Sequence, residues 1–210
     1  MSELLISINK YLRNKHKLLV LENKLLMVLS KIKYSKRFEE FGKNSFLIKP
    51  IRIVGGEFIS IGENVGILNG GRFEAIKEYN GHFFNPHISI GSNVSIGQNL
   101  HLVACSSLKI GHDVTISGNV LITDNEHEYK VLNQHVSKQP LKLDETIIGD
   151  YSFIGYGACI LKGANLGIQN IVGANSVVVK GDYPDYCVLA GNPARIIKKY
   201  NVMTKSWESL

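Results

Sequence analysis

Histidine is the side chain in this sequence best suited to moving protons near neutral pH, because an unperturbed imidazole has a pKa of about 6.5. His127 has the most informative position of the seven histidines, since it directly precedes a segment, 128–147, that interrupts a regular pattern. A long segment that leaves a regular fold and returns to it forms an external loop, and such loops are commonly functional. We therefore predict that His127 is a general base. His135, inside the segment, is the alternative, and Asp124 or Glu126 is a candidate to orient the His127 ring.

A metal centre is the other chemistry that these histidines suggest. His82 and His87 are separated by four residues, and His112 and His127 follow, but the first two lie outside the regular pattern. The three cysteines are odd in number, scattered and without a Cys-x-x-Cys motif. Neither a thiolate zinc site nor a disulfide framework is expected, and a reducing cytoplasm fits this usage.

The regular pattern around His127 is a six-residue repeat. The first position of each repeat is aliphatic in twelve repeats: Ile90, Ile96, Leu102, Ile110, Ile116, Ile122, Ile148, Ile154, Ile160, Leu166, Val172 and Val178. The second position is mostly glycine, and the fifth is mostly small. A period of six fits neither an amphipathic helix nor an alternating strand, whereas it is typical of a parallel β-helix.

Three repeats close one triangular coil, so each aliphatic residue points inward and stacks on its equivalent about 18 residues later. We predict a mainly β fold, a parallel β-helix of hexapeptide repeats with an external loop at about 128–147. The four regular coils are expected at 90–107, 110–127, 148–165 and 166–183, after a less regular start at 51–89. A solenoid needs both ends covered, so we also expect a short C-terminal cap.

The first part of the chain has a different pattern. Leucines and other apolar residues recur there at three- and four-residue spacing, as in Leu18, Leu21, Leu25, Val28 and Ile32, which predicts helix. A break near residues 13–17 favours two helices. We expect this stripe to pack against the rest of the protein or a sister subunit. The predicted organisation is a basic N-terminal helical segment (1–43), a β-helix domain (44–199) and a C-terminal tail (200–210).

The excess of positive over negative charge is confined to that N-terminal segment. Residues 1–43 hold ten Lys or Arg and four Glu, which accounts for the whole net charge of +6. The β-helix is neutral, so nucleic acid is not an expected partner. The excess is either a solvated helix face or a surface that attracts an acidic polymer or a membrane. The longest apolar run near the N-terminus has five residues, far short of a span, and no signal-type apolar core is visible.

Residues 61–199 resemble the hexapeptide-repeat, left-handed β-helix acyltransferases. The most specific stretch is IVGANSVVVKGDYPDYCVLAGNPARII at 171–197, with its Gly-Ala, valines, Lys and Gly-Asn-Pro-Ala-Arg. The stretch NVLITDNEHEY at 119–129 is similar to the catalytic segment of the branch that O-acetylates sugars and surface polysaccharides. The resemblance implies a left-handed coil, an acyl-CoA donor, and His127 as the base. It also implies a homotrimer with active sites between subunits.

The resemblance also implies roles for the residues that stand at the family's functional positions. The backbone amide of Tyr156 would hold the oxyanion, and Phe153 stands where many relatives have Trp. Asn85 and Asp124 would contact the acceptor. The residues expected to bind the donor are Gly155, Gly173 and Ala174 along the pantetheine arm, and Lys180, Arg195 and Lys198 near the nucleotide phosphates.

These observations predict an acetyl-CoA-dependent O-acetyltransferase that modifies a saccharide, in capsule, O-antigen or other surface polysaccharide synthesis. No metal is expected to be required, and a cytoplasmic location is expected. N-acylation of an amino-sugar nucleotide and acetylation of a small xenobiotic are alternatives within the same chemistry. Two alternatives come from other classes. One is a non-catalytic β-helix that serves as a trimerisation module, and the other is a metalloenzyme similar to the γ-carbonic anhydrases.

Overall fold

The computed structural model describes Leu21 and residues 24–210. Within this part, short strands form three parallel sheets around one apolar core. The first predicted helix and the break near residues 13–17 lie outside the described residues.

The three sheets are the three faces of a prism. Sheet 1 contains Glu40–Phe41, Ile59–Ile61, His87–Ile90, Ser107–Ile110, Thr146–Ile148, Ala164–Leu166 and Gly181–Tyr183. Sheet 2 contains Phe46–Leu47, Gly66–Ile67, Ser95–Ile96, Thr115–Ile116, Phe153–Ile154, Ile171–Val172 and Cys187–Gly191, followed by two antiparallel strands, Ala194–Asn201 and Ser206–Ser209. Sheet 3 contains Arg52–Val54, Arg72–Ala75, His101–Ala104, Leu121–Thr123, Cys159–Ile160 and Val177–Val178.

Strand register confirms the hexapeptide repeat. The first positions of the four regular coils align as partners: Ile90, Ile110, Ile148 and Leu166 in sheet 1, Ile96, Ile116, Ile154 and Val172 in sheet 2, and Leu102, Ile122, Ile160 and Val178 in sheet 3. All twelve side chains are at most 3% exposed. Burying one such side chain contributes about 1.5–3 kcal/mol. These three aliphatic columns are therefore the main stabilising feature of the stack.

Asparagines form a ladder along the edge between sheets 1 and 2. Asn64 and Asn93 have φ of 57° and 61°, a left-handed conformation that Asn tolerates better than most residues. The Asn64 side-chain amide donates to Asn93 Oδ1 at 3.0 Å, and the Asn93 amide donates to Asp113 Oδ1 at 3.1 Å. The repeat thus turns sharply at this edge and also pairs the turn residues of successive coils.

The expected external loop is confirmed, and it leaves the edge between sheets 3 and 1. The coil ends at Thr123, after which Asn125–His127 pairs antiparallel with Leu141–Leu143. A 3₁₀ turn at Val136–Lys138 lies between these two strands. The loop therefore begins a few residues earlier than the sequence pattern suggests, and His127 belongs to its paired stem, opposite Leu141.

A second protrusion leaves the same edge, two coils earlier. Glu78–Tyr79 and His82–Phe83 form an antiparallel hairpin. Asn80 and Gly81, at its tip, both have positive φ, 51° and 76°, as a two-residue type I′ turn requires. Sequence analysis assigned this hairpin only to the less regular start of the β-helix.

The described N-terminal helix, α1, comprises Leu21 and residues 24–34 and covers the first coil. Ser30 and Tyr34 are its buried side chains, and Ser30 Oγ accepts a hydrogen bond from the Leu47 amide at 2.6 Å. The predicted apolar stripe lies on the opposite face. We name as the outer stripe four residues that are 57–71% exposed: Leu21, Leu25, Val28 and Ile32.

Within the described residues, the outer stripe does not pack against the rest of the chain, which was one of its two expected partners. The reason is the anchor: the helix is fixed through Ser30 and Tyr34, about half a turn around from the stripe. Packing against a sister subunit, the other expected partner, stays a prediction. None of the described helices is both long and apolar enough to cross a membrane.

The C-terminal cap is an antiparallel extension of sheet 2. Cys187–Gly191 turns through a cis Asn192–Pro193 peptide into Ala194–Asn201, which pairs in turn with Ser206–Ser209. At the other end, Glu40–Phe41 already pairs with the strand at Ile59–Ile61. The strand Ala194–Asn201 thus continues past residue 199, and Glu40–Phe41, just before residue 43, is already part of sheet 1.

Candidate active site

Two edges of the prism carry the predicted site residues. We name the edge between sheets 3 and 1 the loop edge, because the hairpin at 76–86 and the loop at 124–145 both leave it. We name the edge between sheets 2 and 3 the amide edge, after residues 155–158 and 173–176, which turn there. Each edge provides a different kind of chemical group.

His127 lies on the loop edge, exposed to solvent and against the hairpin. Its ring meets the Tyr79 ring edge-on, with centroids 5.4 Å apart and planes at 64°. The Tyr79 hydroxyl donates to the Ser137 carbonyl at 2.6 Å, and the Asn80 amide donates to the same carbonyl at 2.5 Å. The hairpin therefore holds both the imidazole and the far part of the loop. Sequence analysis missed Tyr79, although the Asn-Gly pair that follows it is a strong hairpin signal.

The side chain of His135, the alternative base, makes its contacts within the turn that it caps. Its Nδ1 accepts the Ser137 amide at 3.2 Å and lies 2.7 Å from Ser137 Oγ. This places His135 at the cap of the 3₁₀ turn Val136–Lys138. Removing its ring therefore removes a turn contact, whereas the exposed His127 ring contacts only the Tyr79 ring of the hairpin among the described aromatic pairs.

Asp124 is fully buried and fixes the point where the loop leaves the coil. Its Oδ1 accepts the Cys105 amide at 2.9 Å, and its Oδ2 accepts the Ser106 amide at 2.7 Å. The Asn125 side chain donates to Oδ1 at 3.0 Å. These bonds are with the preceding coil and the loop stem. Burial, and to a lesser extent the Asp124 charge, raises the pKa of the Cys105 thiol to about 12, so that thiol stays protonated.

Two ion pairs hold the end of the loop, where it rejoins the coil. Lys180 Nζ lies 2.5 Å from Asp144 Oδ2, and this hydrogen bond is the main reason that the pKa of Asp144 is lowered and that of Lys180 raised. Lys109 Nζ lies 2.6 Å from Glu145 Oε1, and its hydrogen bond is the largest cause of the lowered pKa of Glu145. Lys180, predicted near the donor phosphates, thus lies on the loop edge beside the stem.

The amide edge presents backbone N–H groups. The amides of Gly155 and Gly173 are used between coils, since they donate to the carbonyls of Val172 and Leu189 at 2.8 Å. The next amide in each coil, that of Tyr156 or Ala174, has no backbone acceptor within the described part of the chain. A Cβ on Gly155 would lie 2.6 Å from Ala174 N, so glycine is needed there for the coils to approach. The edge therefore offers two adjacent donors to a ligand.

The other predicted residues surround these two edges. Asn85 is exposed on the loop edge, between the hairpin and the strand at His87–Ile90. Phe153 is 41% exposed on the outer face of sheet 2. Arg195 and Lys198 are exposed on the antiparallel extension of sheet 2. The Tyr156 hydroxyl accepts a hydrogen bond from the Asn119 side chain.

The histidines do not converge on a metal site in the described residues, where no group of three or more His, Cys, Asp or Glu side chains could hold an ion. His112 lies on the edge between sheets 1 and 2, where its Nδ1 accepts the Ser92 amide at 3.0 Å. His87 lies 3.8 Å from a Glu39 oxygen. The fold thus directs these two side chains to partners elsewhere on the prism than His127.

One chain thus places the His127 imidazole and the amides of Tyr156 and Ala174 on different edges. His127, Asn85, Asp124 and Lys180 are on the loop edge, while Tyr156 and Ala174 are on the amide edge. Sheet 3 separates these two edges, so the two sets of groups lie on opposite sides of one face of the prism.

Replacing Asp124 tests its structural role. Asp124→Asn leaves only one acceptor oxygen for the buried amides of Cys105 and Ser106, and an unsatisfied buried amide costs about 1–3 kcal/mol. We expect the free energy of unfolding, measured by urea denaturation, to fall by about that amount. The control is Asp182→Asn, on an exposed carboxylate that accepts only the Asn165 side chain at 2.9 Å, with an expected change within about 0.5 kcal/mol. Equal losses in the two variants would refute this role.

Comparison with known proteins identifies the family, although no family model matches the chain. The chain is 34% identical over 176 residues to the candidate lipopolysaccharide biosynthesis O-acetyl transferase WbbJ of Escherichia coli (strain K12), covering 80% of this chain and 86% of that protein. It is 32% identical over 126 residues to the galactoside O-acetyltransferase of the same organism, covering 58% of this chain and 61% of the relative.

A solved structure supports the fold. AntD, an N-acyltransferase from Bacillus cereus crystallised with dTDP and 3-hydroxybutyryl-CoA, superposes with a TM-score of 0.66 at 19% identity, over 83% of this chain and 89% of AntD. This likeness confirms the left-handed β-helix. Taken with the hexapeptide register and the identity to WbbJ over four fifths of the chain, it shows that the protein belongs to the hexapeptide-repeat acetyltransferase family.

Proposed function

We propose that this protein is an acetyl-CoA-dependent O-acetyltransferase that modifies a saccharide hydroxyl during surface polysaccharide synthesis. The observation that carries the proposal is the exposed His127 ring between two protrusions of the loop edge, open to an acceptor and held by Tyr79. The names of the two curated relatives, which describe lipopolysaccharide and galactoside O-acetylation, support a saccharide as the acceptor.

The proposed chemistry is direct transfer. The acceptor hydroxyl attacks the thioester carbonyl carbon while His127 takes the hydroxyl proton. The carbonyl oxygen becomes an oxyanion, which accepts a hydrogen bond from the Tyr156 amide. When the intermediate collapses, the C–S bond breaks and the imidazolium returns the proton to the CoA sulfur. The products are the acetyl ester and free CoA, and this sequence needs no metal.

The proposed assembly is a homotrimer in which each site lies between two copies. His127 and the Tyr156 amide lie on different edges, so the loop edge of one copy has to face the amide edge of the next. A repeated head-to-tail contact of this kind closes a ring when the rotation between successive copies closes, and the proposed ring has three copies. The uncovered amides of Tyr156 and Ala174 make the amide edge suited to the pantetheine arm, which carries its own amide groups.

The remaining predicted residues fit positions around that groove. Arg195 and Lys198 provide exposed positive charge beyond the amide edge for the donor phosphates, and Lys180 provides it on the facing loop edge. Phe153 would form an apolar wall. Asn85, beside the hairpin, would contact the acceptor hydroxyl. The cytoplasmic location is proposed on the donor chemistry and on three free cysteines, which suit a reducing compartment.

The acceptor decides between O-acetylation and its alternatives. An amino-sugar nucleotide or a small xenobiotic would use the same donor and the same base, so a panel of hydroxyl and amine acceptors with acetyl-CoA, read as free thiol release, discriminates among them. A purely structural trimerisation module is not retained, because the chain belongs to a family of enzymes.

Loss of the base tests the mechanism. His127→Ala should lower kcat by about 10²–10⁴, the range for a lost general base, and should abolish the acidic limb of the pH profile of kcat/KM. Acetyl-CoA affinity should change little, because the ring faces the acceptor. The measurement is steady-state acetyl transfer with titration calorimetry of the donor.

His135→Ala is the matched control for this variant, since it removes a histidine ring from the same loop. It should lose far less activity, because its contact is with the turn at Ser137. Near-normal turnover in His127→Ala together with an inactive His135→Ala would assign the base to His135 instead.

Tyr79 should act as a positioning residue. Tyr79→Ala removes the edge-on contact with His127, and such contacts are worth about 0.5–1.5 kcal/mol, so kcat should fall about three- to tenfold with little change in donor affinity. Tyr79→Phe keeps the ring and should stay closer to the parent enzyme. Phe83→Ala, on the facing hairpin strand and 74% exposed, is the control and should leave kcat unchanged. A Phe83→Ala variant as impaired as Tyr79→Ala would show that only hairpin integrity matters.

A further inference from the structure

The outer stripe of α1 is an apolar surface that the described chain leaves in solvent. Leu21, Leu25, Val28 and Ile32 recur at intervals of four, three and four residues, so they lie along one side of the helix. Their exposed fractions are 64%, 57%, 57% and 71%. Leu29, next to them, is 50% exposed. A continuous apolar stripe that points away from the protein body indicates a binding surface.

Basic side chains border this stripe. Lys24 and Lys31 are exposed and line a groove with Met27 and Val28, which Asn44 and Ser45 of the β-helix border on the other side. Lys33 is exposed on the other flank, where its Nζ lies 5.2 Å from the centre of the Tyr34 ring. The wider segment has the same character, since residues 1–43 account for the whole net charge of +6. The charge of Lys24, Lys31 and Lys33 beside the stripe is therefore complementary to an anionic surface.

The anchored face of the helix fixes how this surface is presented. Ser30 and Tyr34 are buried against the first coil, and the Leu47 amide donates to Ser30 Oγ. The stripe on the opposite side consequently faces outward with the β-helix behind it. Residues 24–34 extend for about 16 Å, roughly half the hydrocarbon thickness of a bilayer. An amphipathic helix with an apolar side and basic flanks is the kind that lies in a membrane surface.

We propose that the outer stripe of α1 docks the enzyme on the surface of an anionic phospholipid bilayer. The apolar side chains enter the boundary between headgroups and acyl chains, while Lys24 and Lys31 contact the anionic headgroups. The proposal does not depend on the acetyl transfer reaction, because its determinants are on the helix and its readout is membrane binding.

Vesicle co-sedimentation of the full-length protein tests this proposal. The parent protein should sediment with vesicles of phosphatidylcholine and phosphatidylglycerol, much less with phosphatidylcholine alone, and less as salt is raised. Val28→Asn with Ile32→Asn should weaken binding about tenfold or more, because two aliphatic side chains that would be partly buried in the membrane are lost. Lys24→Glu with Lys31→Glu should weaken binding to a similar extent and also reduce its salt dependence.

Matched controls come from the opposite end of the chain. Val202→Asn and Lys205→Glu change an exposed valine and an exposed lysine of the C-terminal cap and should sediment like the parent. Failure of the parent protein to bind anionic vesicles, or equal binding by all variants, would overturn the proposal. If the parent protein does not bind, sedimentation velocity decides what the stripe contacts. A lower oligomeric state of the variant with Val28→Asn and Ile32→Asn would then assign the stripe to contacts between copies. A lower unfolding midpoint without that change would assign it to cover by the chain itself.

Discussion

The three aliphatic columns inside the prism are the constraint on which the rest of the structure depends. Each coil must place one aliphatic side chain on each face, so the register of every strand is set by its neighbours above and below. Slipping the register by one residue would turn the aliphatic side chains outward. Extra residues can therefore enter only at the edges. Both long insertions leave the loop edge, and the columns continue beyond them in register, with Ile110 aligned on Ile148.

This constraint also determines which edges carry the polar side chains and the free backbone amides of the candidate site. The loop edge supplies side chains on protruding segments, whereas the amide edge supplies backbone donors that follow glycine-containing turns. The loop edge is rigid at its base, because Asp124 ties the exit of the loop to the preceding coil and ion pairs at Asp144 and Glu145 hold its return. His127, the proposed base on this loop, contacts the Tyr79 ring, and no carboxylate is hydrogen-bonded to its imidazole among the described residues.

The sequence was sufficient to predict the fold, because its signal is a long-range period. Twelve aliphatic positions at fixed spacing leave little freedom, and all twelve are buried in the expected columns. The external loop was predictable for the same reason, since it is what remains when the repeat is interrupted. The left-handed twist came from resemblance alone, because the general preference of parallel crossovers is for the right-handed form.

Features that depend on a single local contact were harder to predict. The hairpin at 78–83 carries an Asn-Gly turn signal, but its contact with His127 depends on two insertions that meet across the edge. In the sequence, Asp124 looks the same as a carboxylate that contacts a substrate. Only the structure shows that it is buried and accepts hydrogen bonds from two backbone amides. The outer stripe of α1 has the period of a core-facing helix, yet one serine-to-amide bond anchors the opposite face.

The central claim is that each active site is shared between the loop edge of one copy and the amide edge of another. The most direct test mixes two inactive variants, His127→Ala on the loop edge and Ala174→Glu, which places a negative side chain at an exposed position beside the free amides. In randomly mixed trimers, a site is intact when one copy supplies His127 and the next supplies Ala174, which occurs in about a quarter of sites. We predict that the mixture regains about that fraction of parent activity. Mixed trimers with no more activity than either variant alone would contradict the account.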